Sequence, residues 1–131
     1  MKAEEKLIDF ICHTKFEDLP QAALKTIKNQ LLGIAGTTLA GAAEEGCEQL
    51  VRLYRELGGK EEATILVYGS KIPAQDAALI NATMARALDF CDAIAPGPHI
   101  GAALIPASLA LVELVGEPIS EVLLERPYVL V

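Results

Sequence analysis

The sequence predicts an all-α protein, a helical bundle with one short extended segment near residues 63–68, and three observations carry that prediction. Apolar residues recur at helical spacing through most of the chain, and glycine and proline fall at the ends of those periodic runs. Ala63–Tyr68 is the one run with β character. Residues Ala3–Cys12 put Leu7, Ile8, Phe10 and Ile11 on one side and their charges elsewhere, which makes a short amphipathic helix. Phe16–Pro20 is a connector, in which Asp18 can cap the next helix and Pro20 suits its first turn. Ala22, Ala23, Ile27, Leu31, Ile34 and Ala35 then keep helical spacing. Gly33, Gly36 and Gly41 interrupt that helix at about 1 kcal/mol each relative to alanine, so close approach of another backbone is expected along all three. A phosphate loop is excluded there, because no Lys-Ser/Thr follows. Glu44–Leu57 reads as a further helix ended by Gly58-Gly59. Pro73 opens a long helix reaching Leu88, and Ala95–Pro98 forms a rigid loop. A last helix runs from Gly101 to Val115 and stops at Gly116, with one more turn over Ile119–Leu124.

At 131 residues the chain fits one domain, and its 52% hydrophobic share exceeds the usual ~45–50%. Either the core is well filled or apolar faces expect partners. Net charge is −7, with no run of Lys or Arg, so phosphate backbones and anionic membranes are poor partners and nucleic acid is set aside. The charge-free stretches Leu31–Ala43 and Ile100–Val112 fall short of the ~20 residues that span a bilayer. The N-terminus lacks the layout of a signal peptide, so a soluble cytoplasmic protein is expected. Cys12, Cys47 and Cys91 are odd in number and show no CxxC spacing, which fits reduced thiols and no metal site.

One segment stands apart from the solvated polar faces: Arg86 to Gly101 sets two carboxylates, a thiol and a histidine around a rigid turn between apolar helices. Asp89 and Asp92 are three apart and could share a proton, or Asp89 could simply pair with Arg86. Cys91 lies between the carboxylates, whose charge keeps a thiol protonated, and reads as a packing residue. His99 precedes a helix that begins Gly101-Ala102-Ala103. The positive helix end favours a neutral imidazole, and bare amides beside it could receive a carboxylate. A histidine that merely caps its own helix explains the same pattern. His13, beside Lys15, reads as a partner of its own helix's C-terminal dipole.

Several segments together resemble the MmgE/PrpD family, which includes 2-methylcitrate dehydratase and cis-aconitate decarboxylase. Leu19-Pro20, then Leu31 to Gly36 and Leu39-Ala40-Gly41, is similar to its early helix. Ala77 to Asn81 followed by Arg86 to Asp92 resembles its signature helix, and His99 with Ile105-Pro106-Ala107 and Leu109-Ala110 resembles the segment after it. Four positions depart from the usual pattern. Gly33 stands for an Asp, Arg86 for a His, Cys91 and Ala93 alter Asp-Phe-Asp-Asp-Thr, and Ala95-Pro96 replaces His-Pro. These departures bear on the substrate rather than the family.

The resemblance implies part of a large helical domain occupying residues 1–131, with a smaller α/β lid domain absent. Glu125–Val131 resembles the start of the family's next helix, so a truncated product, a shortened piece or one segment of a split protein is expected. The implied activity is a cofactor-independent lyase acting on a small polycarboxylate by dehydration or decarboxylation, inactive as this chain alone. His99 and Asp89 would be catalytic, and Asp92, Gly101 and Ala102 would bind substrate. Dimerisation, or pairing with the missing portion, is expected. The rivals are an isomerase or epimerase on a related acid, and a non-catalytic helical interaction module.

Overall fold

The computed structural model describes residues 2–93, 97 and 99–116. Among them the order is α1 (Ala3–His13), a 3-10 turn (Phe16–Asp18), α2 (Gln21–Gly41), α3 (Cys47–Leu57), β1 (Ala63–Thr64), β2 (Lys71–Ile72), α4 (Ala74–Arg86) and α5 (Gly101–Val115). The chain is therefore all-α with one short extended segment, as its periodicity predicts. The expected loop at Ala95–Pro98, apart from Gly97, and the turn over Ile119–Leu124 lie outside the described residues.

Local chemistry sets each boundary. Pro20, not Asp18, occupies the N-cap of α2, and its carbonyl accepts from Ala23 and Leu24 at 2.9 and 3.2 Å. Asp18 instead accepts from the Lys15 amide at 2.9 Å and closes the preceding turn. Helix α3 begins at Cys47 rather than Glu44, because Gly46 takes a left-handed conformation (φ 90°) that a helix cannot include. Helix α4 ends at Arg86 rather than Leu88. The Asp89 amide bonds back to the Arg86 carbonyl at 2.9 Å, and Asp89 itself sits at φ 51°. Gly116 stops α5 in the left-handed region, its amide reaching the Val112 and Glu113 carbonyls.

The extended run is shorter than its sequence suggests. Ala63 pairs with Ile72 and Thr64 with Lys71, antiparallel. After Ile65 the chain turns back, with Ile65 donating to Ser70 at 2.8 Å and Gly69 to Ile65 at 2.9 Å. The turn forces Val67 to φ 69°, a conformation costing a β-branched residue about 1–3 kcal/mol. Burial of Ile65, which is fully enclosed, offsets this.

Helix α4 is the hub, packing on α2, α3, α5 and the hairpin. Ala77, Ile80 and Met84 form its buried stripe, and they meet Val51 and Cys47 of α3, Ala63 and Ile65 of the hairpin, and Ala110 of α5. Met84 and Gly41 bring α4 and α2 together: a Cβ on Gly41 would collide with the Met84 carbonyl oxygen. The expectation of close packing at Gly33 and Gly36 fails, because both face open space. Buried Asn81 replaces a missing strand, accepting from the Leu66 amide at 2.9 Å and donating to the Thr64 carbonyl at 3.0 Å. Glu113 of α5 grips the other side of the hairpin through the Thr64 amide and hydroxyl (3.0 and 2.7 Å) and Lys71 (3.0 Å). Burial pushes the Glu113 pKa up, but the Thr64 and Lys71 interactions outweigh it and hold the carboxyl below its ordinary value.

Two apolar faces stay uncovered among the described residues. Leu7, Ile8 and Phe10 of α1 are each more than half exposed, and so are Leu32 and Leu39 of α2, at 76% and 65%. No helix among the described residues is long and apolar enough to cross a membrane.

Candidate functional site

The Arg86–Gly101 segment connects the last turn of α4 to the first turn of α5, the two helices that pack most closely. Between those turns lies a cleft of about 440 Å³, lined by Leu79, Thr83 and Arg86 of α4 and by His99, Ala102 and Ala103. His99 is half-buried, and its Nδ1 lies 3.4 Å from the Cys91 sulfur. The remaining walls are chiefly methyl and methylene groups. The cleft thus offers one imidazole and one guanidinium against an apolar lining.

Asp89 does not enter this cleft as a free carboxylate. It is exposed and ion-paired to Arg86. The hydrogen bond from Arg86, and then its charge, hold the Asp89 carboxyl below the usual carboxylate range. Reciprocally, Asp89 is the main cause holding the guanidinium above its ordinary value, with a smaller contribution from Cys91. The sequence left open whether Asp89 shares a proton with Asp92 or pairs with Arg86; the left-handed backbone at Asp89 turns it to Arg86.

Asp92 faces the opposite way. Its Oδ2 accepts from the Gly101 amide at 3.1 Å and from Gln30 of α2 at 3.4 Å. Its Oδ1 is buried with no hydrogen-bond partner among the described residues. Gly101 is obligatory for this arrangement, since a Cβ there would run into the Asp92 carboxylate. The amide that the sequence offers to a substrate carboxylate therefore holds the protein's own carboxylate, at the positive end of α5. Ala102, nearly buried at 3%, forms part of the floor beneath His99. A second cleft of about 340 Å³ lies on this side, between α2 and the turn, lined by Asn29, Gln30, Gly33, Phe90, Cys91 and Asp92.

The structure thus brings His99 and Ala102 to one cleft, ties Asp89 to its rim through Arg86, and seats Asp92 with Gly101 behind it. Sequence reasoning missed the place of Arg86 in the His99 cleft. Thr83, one turn before it on the same helix face, was the available signal. It also misread Cys91, whose sulfur meets His99 rather than the flanking carboxylates. The Gln30–Asp92 contact spans 62 positions and left no trace in local pattern. His13, as expected, works at the end of its own helix, with Nδ1 3.0 Å from the Asp9 carboxylate and 3.0 Å from the Asp9 carbonyl.

Fold and cleft together define a helical domain that carries an imidazole and a guanidinium at a helix-to-helix turn. The family model described as the MmgE/PrpD N-terminal domain matches residues 5–126, and the chain belongs to that family. No curated protein and no solved structure matches it.

Proposed function

We propose that this domain supplies the acid–base half of a cofactor-independent lyase site for a small hydroxy- or unsaturated polycarboxylate. The observation that carries the reading is the shared cleft of His99 and Arg86. It sets a proton-transfer group beside a cation able to bind a carboxylate in two-pronged fashion. The reaction would remove a proton or carboxyl group α to a carboxylate and expel water or carbon dioxide. Asp89 holds the Arg86 guanidinium in place, and Asp92 and Gly101 fix the start of α5 from which His99 projects. An isomerase or epimerase using the same proton abstraction is the nearest rival.

A polycarboxylate carries at least two negative charges, whereas Arg86 is already shared with Asp89. Further cationic groups, supplied in the proposed enzyme from outside this domain, are needed to neutralise the substrate. The purified chain should therefore not turn over 2-methylcitrate or cis-aconitate. In an enzyme completed with the missing portion, His99→Ala should cut turnover by about 10²–10⁴-fold. Its unfolding midpoint should barely change. Asp89→Asn should also lower turnover. If both variants lose stability while the folded remainder turns over normally, the two residues are structural and the site assignment fails.

The uncovered leucines of α1 and α2 favour a second role, self-association, for which this helical domain provides the surface. Sedimentation showing a monomer that binds no hydrophobic dye would exclude it.

A further inference from the structure

Cys91 and His99 meet across the turn, Sγ to Nδ1 at 3.4 Å, and Arg86 interacts with the same sulfur. These groups do not have interchangeable hydrogen-bonding roles. A guanidinium has donors only, a thiol has one weak donor and a weak acceptor, and a neutral imidazole has one donor and one acceptor nitrogen. Arg86 therefore fills the accepting side of the sulfur and leaves the S–H for Nδ1. Nδ1 must then accept, which places the ring proton on Nε2. We propose that Cys91 is a positioning residue that locks His99 as the Nε2–H tautomer, so that the imidazole meets its ligand as a hydrogen-bond donor rather than as a bare base.

The significance for turnover rests on the lyase reading above. When a proton or carboxyl group leaves the carbon α to a carboxylate, negative charge builds on the carboxylate oxygens. A neutral N–H aimed at those oxygens stabilises that charge without being ionised beforehand. A carboxylate in place of the thiol has no proton to give. It would accept from Nδ1–H, leave Nε2 bare and invert the role of the ring. The identity of residue 91 thus selects which proton-transfer role His99 can take.

Long-range proton–nitrogen NMR on the ¹⁵N-labelled chain reads the tautomer directly, without substrate, at about two pH units above the ordinary histidine value of ~6.5. The two histidines are told apart by His13→Gln. The expected wild-type pattern is a single Nε2–H form. Cys91→Ser, which keeps a donor, should retain it. Cys91→Ala should show both nitrogens averaged by exchange, and Cys91→Asp should invert the pattern to Nδ1–H. A wild-type ring that is averaged or Nδ1–H overturns the proposal, as does Nε2–H persisting unchanged in Cys91→Asp. Failure of the completed enzyme to act on any polycarboxylate would instead sink the lyase reading and leave the tautomer assignment standing.

Discussion

Gly101→Ala separates two opposed contributions at the first turn of α5. Helix propensity alone favours alanine by about 1 kcal/mol. The added methyl, however, occupies the space of the Asp92 carboxylate, which is the movable end of a short side chain. Asp92 must swing away and abandon the Gly101 amide, now 3.1 Å from its Oδ2, and the weaker contact with Gln30. A hydrogen bond to a charged acceptor contributes about 1.5–3 kcal/mol, so the balance is a net loss of about 1–2 kcal/mol. That corresponds to a midpoint about 3–6 °C lower for a domain of this size. Urea unfolding followed by far-ultraviolet circular dichroism measures the difference. The control is the same substitution in an Asp92→Ala background, where no carboxylate is displaced and alanine should now be neutral or stabilising. A more stable Gly101→Ala in the otherwise native chain would refute the account of Asp92 as the ligand of this helix end.

Three further outcomes follow from the packing. Gly41→Ala meets the Met84 backbone rather than a side chain, so α2 and α4 must part, at a cost of about 1–3 kcal/mol in urea unfolding. Asn81→Ala removes both clasps on the hairpin and leaves a backbone amide and carbonyl unpaired, for a loss of about 2–4 kcal/mol; hydrogen exchange at the Leu66 amide should quicken. Glu113 has a folded pKa below its ordinary 4.5, so its contribution is full above that value and is lost as pH falls through the lower folded one. Glu113→Gln should flatten that part of the stability profile between neutral and acid pH, and an unchanged acid slope would show the grip on Thr64 and Lys71 to be without consequence.

Helix order, the hairpin's position and the family were legible because they depend on local pattern. Gly58 and Gly116 end helices through conformations that favour glycine, and the ordered set from Leu19-Pro20 to Leu109-Ala110 identified the relatives. Less visible was what lies across from each residue. Gly33, Gly36 and Gly41 look alike along the chain, yet only Gly41 faces a neighbouring backbone. Asp89, Cys91 and Asp92 are neighbours in sequence, but in a turn three successive side chains aim at three different places. Asp89 goes to Arg86, Cys91 to His99 and Asp92 to Gly101. Reading the thiol by its flanking carboxylates therefore gave it the wrong surroundings.

The hairpin has a mechanical consequence for the distant cleft. Asn81 pins it to α4 and Glu113 pins it to α5, so the two helices behave as rods bolted through a common plate. Ala102 lies eleven residues before Glu113 on α5, about 16 Å along the rod. A swing of about 5° around that bolt carries the first turn of α5 through about 1.4 Å, and a misplacement of about 1 Å can cost about 10²-fold in rate. Slack introduced at Thr64, Lys71 or Asn81 would thus be felt as a misalignment of His99 against Arg86, although none of the three lines the cleft.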